Sequence, residues 1–363
     1  MLKVVFVLGT RPQIIKTAPV IKYLRGIDKC EVSVVHTGQH YDYQLSKVFL
    51  KEMSLPDPVI NLGVHADTHA KQTAAMMIGL ERVLPNLSPN VVVVPGDTNS
   101  ALAAALAANK LRIPYAHLES GPRQFDLSNP EEANRTVADH LCTIAFAPCP
   151  SAVRNLVREG FAKSRIAFTG DTMLDCLIEH LPSSLRIDVR KEFGIEPGYV
   201  LTTIHRQENT EDPARLNAIV QTLLSTKRLR FVFPVHPRTA KNLKRFRSWK
   251  SLVHAGNVCL LPPVDYEHSL ALLSKARMVM TDSGGLQKEA FWIGVPCLTV
   301  FKSTPWPETL RQGANVCAEP NRCSLKKVLL HSSATKFDTS RSFQVFGNGK
   351  ASKNVSRILV ERF

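Results

Sequence analysis

The sequence predicts an α/β protein built from two Rossmann-like, doubly wound domains. Two observations carry this prediction: short, wholly apolar runs recur along the chain, each followed by an amphipathic segment, and the alternation restarts after about residue 165. Apolar strands that are each followed by a helix are typical of a parallel sheet covered by helices on both faces. The length of 363 residues fits two domains of ordinary size.

The elements divide into two sets. In the first set, strands are predicted at 3–8, 31–36, 90–94, 113–117 and 144–147, with helices at 14–25, 43–52, 68–84, 101–110 and 131–141. In the second set, strands are predicted at 166–168, 199–203, 230–234, 258–260, 278–281 and 296–300, with helices at 213–225, 266–275 and 285–294. We therefore expect an N-terminal domain at 1–168 and a nucleotide-binding domain at 169–345. Residues 346–363 form a terminal helical segment, for which the N-terminal domain is the candidate packing partner.

Composition narrows the classes of partner. The 46 basic and 31 acidic residues give a net charge of +15, which favours an anionic partner. The charge is dispersed and no nucleic-acid motif accompanies it, so we expect an anionic metabolite rather than nucleic acid or a membrane. The apolar N-terminus lacks a cleavage site, so we interpret it as a buried first strand in a cytoplasmic protein. Eight cysteines without a CxxC pair predict free thiols and no metal site.

The first loop of interest is 9–16, between the first predicted strand and helix. Gly9 permits a tight turn, and the free N–H groups of the following helix suit an anion. Arg11 and Lys16 would add formal positive charge. The loop matches neither a Walker loop nor a dinucleotide fingerprint, and a simple turn is the alternative interpretation.

The second loop, 281–290, also follows a predicted strand and opens a helix. Ser283 can cap that helix, while Gly284 and Gly285 let a phosphate approach the backbone. Glu289, one turn later, is placed to accept hydrogen bonds from ribose hydroxyls. We favour a nucleotide diphosphate site here over a helix start that is only capped.

Acidic residues follow other predicted strands. Asp97 comes after a run of four valines, where a helix cap is the competing interpretation, and Glu119 ends the next strand along. Glu131 lies in the first turn of a helix, where it would also offset the helix dipole, and Arg135 is one turn further on. The functional interpretation is a group of carboxylates that converge on one substrate carbon, with Arg135 tuning them. For His117 we favour a structural role in the core.

Two histidines complete the candidates. His205 stands beside Arg206 and Glu208 at a strand end, which favours a site residue that transfers a proton or binds phosphate. His236 ends the next predicted strand in a proline-bounded turn. A position in the ligand cleft and a structural role are equally consistent with that turn.

Taken in order, these segments resemble the non-hydrolysing UDP-N-acetylglucosamine 2-epimerase family. The resemblance covers nearly the whole chain, and its strength lies in several motifs standing in family order. The segments are GTRPQIIKTAPV at 9–20, TGQHYDYQLSKVF at 37–49, PGDTNSALAAALAA at 95–108, HLESGPRQFDLSNPEEANRTVADHL at 117–141, TIHRQENTEDPARL at 203–216, TDSGGLQKEAFWIGVPCLTV at 281–300 and STPWPETLRQGANV at 303–316.

The resemblance implies a glycosyltransferase-B-like arrangement with an active-site cleft between the domains, a homodimer, and no metal or redox cofactor. It implies interconversion of UDP-GlcNAc and UDP-ManNAc by anti elimination of UDP to 2-acetamidoglucal, followed by re-addition. By motif, the catalytic set is Asp97, Glu119, Glu131 and His205; the UDP and sugar set is Arg11, Lys16, Arg135, Ser283, Gly284, Gly285 and Glu289.

The chain departs from the family pattern in places. Gln13 stands where the family often has Glu, and Pro122 stiffens the loop after Glu119. Gln39 and His40 match the region where bacterial members bind an activating second UDP-GlcNAc. The following residues, 41–43, do not match it, so we predict weak or altered activation.

Three other activities share these features. A 2-epimerase acting on UDP-2,3-diacetamido-2,3-dideoxyglucuronic acid would need an extra basic residue at the sugar end of the site. A glycosyltransferase of the same fold would need an acceptor site and would leave C2 untouched. A hydrolysing epimerase would release UDP in stoichiometric yield.

Overall fold

The computed structural model describes residues 1–39, 49–64, 68–331, 337 and 342–363. It contains two parallel sheets interleaved with helices, which confirms the predicted α/β, doubly wound class. Within the described residues, no helix has the length and apolarity needed to cross a bilayer. All eight cysteines are free thiols, as predicted.

The first sheet has seven strands in the order β3-β2-β1-β4-β5-β6-β7. Its central strands are wholly buried because helices cover both faces, and the four valines of β4 are 0% exposed. The strands are β1 Leu2–Leu8, β2 Cys30–His36, β3 Ile60–Asn61, β4 Val91–Pro95, β5 Tyr115–Leu118, β6 Ile144–Ala147 and β7 Ile166–Phe168.

The second sheet has six strands in the order β10-β9-β8-β11-β12-β13. Its apolar core joins side chains of β8, β9 and β11 to the helices that cover them. The strands are β8 Val200–Thr203, β9 Phe231–Pro234, β10 Val258–Leu261, β11 Met278–Thr281, β12 Cys297–Thr299 and β13 Asn315–Cys317.

Fifteen α-helices lie within the described residues. They are α1 Arg11–Arg25, α2 His69–Leu87, α3 Asn99–Lys110, α4 Pro130–Leu141, α5 Pro150–Arg158, α6 Thr172–Ser184, α7 Val189–Phe193, α8 Gln207–Thr210, α9 Pro213–Ser225, α10 Pro237–Arg245, α11 Trp249–Val253, α12 Tyr266–Lys275, α13 Gly284–Ile293, α14 Arg322–His331 and α15 Ala351–Arg362.

The chain forms two compact units. One contains 1–178 together with 343–363, and the other contains 179–342. The last helix, α15, therefore belongs to the first unit, where it packs against α1. The buried carboxylate of Asp175 caps its start by accepting hydrogen bonds from Ala351 N at 3.2 Å and Ser352 N at 2.7 Å.

Strand order reverses once in each sheet. In the first sheet the reversal falls between β1 and β4, and in the second it falls between β8 and β11. Ligands of open parallel sheets bind beyond the carboxyl ends of strands at such reversals, because the flanking loops diverge there. The loops that follow these four strands are 9–10, 96–98, 204–206 and 282–283, and each carries a motif singled out in the sequence.

Candidate functional site

At the first reversal, a lysine meets a glutamate. Lys16, on α1, places its Nζ 2.6 Å from Oε1 of Glu119, which directly follows β5. Glu119 adopts φ +63°, a left-handed conformation that a non-glycine residue rarely takes. Gly96 lies beside this pair with φ +70°, and an added Cβ would stand 3.3 Å from the lysine Nζ. The backbone here is shaped to bring the two side chains together.

The second acid of this edge, Asp97, pairs with Arg135. Nη2 of Arg135 donates to Oδ2 of Asp97, and its Nη1 donates to Glu132 at 2.8 Å. Burial lowers the pKa of the Arg135 guanidinium, but the negative charges of Asp97, Glu132 and Glu119 outweigh this effect and raise it. Arg135 therefore stays charged and lies within electrostatic reach of both predicted acids.

The competing interpretation of Asp97 as a helix cap is wrong. Thr98 is the N-cap of α3, and its side chain accepts a hydrogen bond from Ala101 N at 3.3 Å. The Asp97 side chain instead keeps 22% exposure beside Arg135. Asn134 holds the Asp97 carbonyl oxygen at 3.0 Å. The turn that carries this acid is therefore supported independently of its carboxylate.

Gln13 connects two of the loops at the reversal. Its Oε1 accepts a hydrogen bond from Gly9 N at 2.8 Å, and its Nε2 donates to the Pro95 carbonyl at 2.8 Å. A carboxylate cannot donate the second bond. The departure from the family's usual glutamate therefore adds a link between the ends of β1 and β4.

His117 has the structural role favoured from the sequence. Its ring is 0% exposed, with Nδ1 at 2.5 Å from Asp139 and Nε2 at 2.7 Å from the Gly96 carbonyl. It therefore joins the loop after β4 to helix α4. Glu132 is also structural, because its carboxylate accepts hydrogen bonds from the backbone N–H groups of Gln124 and Phe125.

At the second reversal, one buried carboxylate gathers several donors. Asp282, at the end of β11, is 1% exposed. It accepts hydrogen bonds from His205 N at 3.0 Å, Arg206 N at 3.0 Å and Asn209 Nδ2 at 3.1 Å. The His205 side chain keeps 39% exposure, and its Nδ1 lies 3.3 Å from Asp282. The carboxylate thus orients the loop that presents His205.

The helix after this strand begins as predicted. Ser283 is the N-cap of α13 and accepts a hydrogen bond from Leu286 N at 3.4 Å. The glycines at 284 and 285 are half-buried, and an added Cβ on Gly284 would stand 3.2 Å from Nε1 of Trp306. Glu289 is 4% exposed. Its contact with a ribose stays a prediction, as does diphosphate binding by the loop.

His236 caps helix α10, which confirms the structural interpretation offered for it. Its Nδ1 accepts a hydrogen bond from Arg238 N at 3.2 Å. The His236 ring also lies 5.9 Å from the ring of His205, measured between centroids. A role for His236 in ligand binding stays a prediction.

The structure brings some predicted residues together. Asp97, Glu119, Lys16 and Arg135 form one cluster in the first unit, and Glu131 lies at the start of α4, which carries Arg135. His205 is grouped with Ser283 in the second unit. The convergence of His205 with these acids stays a prediction.

Three further candidates have different outcomes. Arg11 stacks over the Phe49 ring at 4.2 Å, which orients its guanidinium. Gln39 accepts hydrogen bonds from Ser100 N at 2.9 Å and Ser100 Oγ at 2.7 Å. His40 lies outside the described residues, so the second ligand site stays a prediction.

Sequence reasoning missed two buried charged residues of helix α4. Glu132 is 1% exposed and Asp139 is 0% exposed, and with Arg135 they form a stripe on the buried face. The signal was present in the spacing, because positions 132, 135 and 139 recur at helical intervals beside the buried Ala138. Buried charges at such spacing are paired, and here each has a partner.

The fold and these loops define the class of protein: a parallel α/β protein with polar groups at the reversals of strand order. The paired acids stand at one reversal and the start of α13 at the other, which are the positions where enzymes of this class bind ligands. The family described as UDP-N-acetylglucosamine 2-epimerase matches residues 22–360. The UDP-N-acetylglucosamine 2-epimerase of Methanocaldococcus jannaschii is 39% identical over 99% of both chains.

Two other comparisons extend this match. The UDP-2,3-diacetamido-2,3-dideoxy-D-glucuronate 2-epimerase of Pseudomonas aeruginosa is 36% identical, over 99% of this chain and 100% of that one. The crystal structure of the M. jannaschii UDP-GlcNAc 2-epimerase in complex with UDP-GlcNAc and UDP has a TM-score of 0.94 at 38% identity, covering 99% of this chain and 100% of that one. The chain belongs to the UDP-N-acetylglucosamine 2-epimerase family, which confirms the resemblance found in the sequence.

Proposed function

We propose that this chain interconverts UDP-GlcNAc and UDP-ManNAc. The observation that carries the proposal is the cluster of two acids, each paired with a base, at the reversal of the first sheet in a chain of this family. The relative from M. jannaschii supports the substrate, because its name states it and it covers 99% of this chain.

The chemistry explains why two acids are needed. The C2 proton of an N-acetylhexosamine has no adjacent carbonyl to acidify it. Departure of UDP from C1 gives that carbon oxocarbenium character, and the C2–H bond then becomes acidic. One base removes the proton to leave 2-acetamidoglucal and UDP. Inversion needs a proton donor on the opposite ring face, so a single carboxylate does not suffice.

In this proposal, Asp97, Glu119, Glu131 and His205 supply the proton-transfer groups. Lys16 and Arg135 hold their partner carboxylates in place, because each cation lies in direct contact with an acid. Which acid serves which ring face is left open between them.

The leaving UDP needs a different environment. Positive charge and N–H donors stabilise the diphosphate as it develops negative charge, and they retain it for re-addition. We assign this role to the start of α13 at Ser283, Gly284 and Gly285, with Arg11 as a cationic partner and Glu289 at the ribose. The reaction consumes no oxidant or metal, and we propose none.

Proton NMR of the purified protein with UDP-GlcNAc in deuterated water tests the proposal. We expect deuterium at C2, the appearance of UDP-ManNAc, and no more than trace free UDP. Unlabelled C2 would contradict epimerisation and favour a glycosyltransferase. UDP released in stoichiometric yield would favour a hydrolysing enzyme.

A second candidate substrate is UDP-2,3-diacetamido-2,3-dideoxyglucuronic acid. The P. aeruginosa relative, named for that sugar, favours it at 36% identity. The same NMR assay with each nucleotide sugar decides between them, since the preferred substrate should show at least tenfold higher kcat/KM. A trace with UDP-ManNAc alone tests the predicted weak activation, and a strict need for added UDP-GlcNAc would contradict it.

A further inference from the structure

Asp139 is a carboxylate of the first unit that contacts four donors. It lies on the buried face of α4, is 0% exposed, and has no access to a ligand. Its Oδ1 receives His117 Nδ1 at 2.5 Å and the hydroxyl of Ser120. Its Oδ2 receives Gly121 N at 3.0 Å and Arg123 Nη1 at 2.7 Å.

All four donors come from one short segment, 117–123, and Glu119 lies inside it. Ser120 and Gly121 follow Glu119 directly, and His117 precedes it by two positions. Because Glu119 holds a left-handed φ of +63°, a conformation that is strained in a non-glycine residue, its surroundings must hold it there. The Asp139 carboxylate contacts donors on both sides of Glu119 in the chain.

Further contacts fix the remainder of the same segment. Arg123 reaches past Asp139 to Glu159, with hydrogen bonds of 2.8 Å from Nε and 2.7 Å from Nη2. The Gly121 carbonyl accepts a hydrogen bond from Asn155 at 2.9 Å. Asp139 is therefore the centre of a network, because the other anchors each hold only one end of the loop.

The network also reaches the second acid. His117 contacts Asp139 through Nδ1 and the Gly96 carbonyl through Nε2, at 2.7 Å. Gly96 is the chain neighbour of Asp97. One carboxylate is thus linked to the loop of Glu119 directly and to the loop of Asp97 through one imidazole.

From this arrangement we infer that Asp139 is a positioning residue for proton transfer: it holds Glu119 and, through His117, the Asp97 turn in the geometry that the reaction needs. The expected fall in kcat rests on the proposed function. The expected displacement of Glu119 rests only on contacts within the first unit. Misplacing a reacting group by about 1 Å can cost about 100-fold in rate, so the effect should appear in kcat.

The test compares D139N with D175N. Asp175 is a matched control because it is also a buried carboxylate of the first unit and also accepts several hydrogen bonds, but it caps α15. For D139N we expect kcat for C2 exchange to fall about 10- to 100-fold, with the Kd for UDP changed less than twofold. For D175N, assayed below its own Tm, we expect kcat within twofold of the unsubstituted protein.

Two results for D139N would overturn the inference. One is a kcat for D139N that falls no further than that of D175N when both are assayed in the folded state. The other is a loss confined to UDP affinity. If D139N does not fold, S120A decides: it removes one donor to Asp139 beside Glu119, and we expect a twofold to fivefold fall in kcat at unchanged UDP affinity. An unchanged kcat for S120A would overturn the inference.

A structural readout separates this inference from the proposed function. In a crystal structure of D139N, or of S120A if D139N does not fold, we expect Glu119 to leave its left-handed conformation or its 2.6 Å contact with Lys16 to lengthen. Glu119 unchanged in that structure contradicts the inference, whether or not the unsubstituted protein is active. No C2 exchange by the unsubstituted protein contradicts only the proposed function.

Discussion

The two sheet reversals use carboxylates in opposite ways. At the first, Asp97 and Glu119 pair with cations, and their side chains are 22% and 9% exposed. At the second, Asp282 is buried and accepts backbone N–H groups, so the acid serves the loop. The same topology thus presents acids paired with cations at one reversal and a shaped loop beside a helix start at the other. Residue type alone does not reveal this difference.

The largest expected effect comes from D97N. The substitution removes a proposed proton-transfer group while the carbonyl contact with Asn134 supports the turn, so we expect kcat to fall about 10²- to 10⁴-fold. We expect the Kd for UDP, measured by calorimetry, to change less than twofold. D57N, an exposed acid of the same unit, is the control and should leave kcat unchanged. Turnover by D97N at the normal rate would remove Asp97 from the mechanism.

The next effect is the pH dependence of the stability that ionised Asp139 gives to the first unit. Burial raises the pKa of the Asp139 carboxyl, but the charge and hydrogen bond of His117, together with Arg123, outweigh burial and lower it to about 2. Because the folded-state pKa is below the ordinary 3.8, ionised Asp139 stabilises the fold above about pH 4 by about 2 kcal/mol. This contribution is lost as pH falls towards 2.

Urea denaturation from pH 6 to pH 2 checks this linkage. The difference in unfolding free energy between the unsubstituted protein and D139N should shrink by about 2 kcal/mol across the acid range. Subtracting the two curves removes the titration of the other carboxylates. A difference that stays constant down to pH 2 would contradict a lowered pKa at Asp139.

A smaller effect is expected from D282N, which tests the second edge. The Asp282 carboxylate accepts charge-assisted hydrogen bonds from the backbone N–H groups of His205 and Arg206. An amide at this position would weaken these bonds, because it carries no charge and places an NH2 group among N–H donors. We expect UDP to bind about tenfold more weakly, as measured by calorimetry. D265N removes an N-cap carboxylate in the same unit and should leave UDP affinity within twofold. If D282N lowered kcat with unaltered UDP affinity, the contrast between the two edges would be wrong.

The smallest effect concerns Q13E. The substituted carboxylate keeps the bond from Gly9 N and loses the donor to the Pro95 carbonyl. We expect the unfolding free energy in urea to fall by about 1 kcal/mol. Q344E, which makes the same change at an exposed position of the same unit, should shift it by less than about 0.5 kcal/mol. Equal stability of the two variants would show that the link does not contribute.

Local pattern was sufficient for most of the fold. Strands β6, β7 and β11 and helices α9 and α12 have the predicted bounds, because apolar runs and caps mark them in the sequence. The short strands β3 and β13 were missed, since each includes an asparagine among its two or three residues and so forms no continuous apolar run. No helix was predicted at α6, α7, α8, α11 or α14. Helices α5 and α10 were missed as well, because a proline start alone does not distinguish a helix from a turn.

By itself, the sequence determined the α/β class and the family, because apolar periodicity and motif order are local properties of the chain; which loops carry the chemistry stays a prediction. Tertiary structure decided how each charged residue is used. Three other acids have the same residue types as the predicted ones: Asp139, Glu132 and Asp282. They are buried, and they accept hydrogen bonds from other segments of the chain. A carboxylate's role follows from the solvent and donors around it, and only the packed strands and helices bring those together.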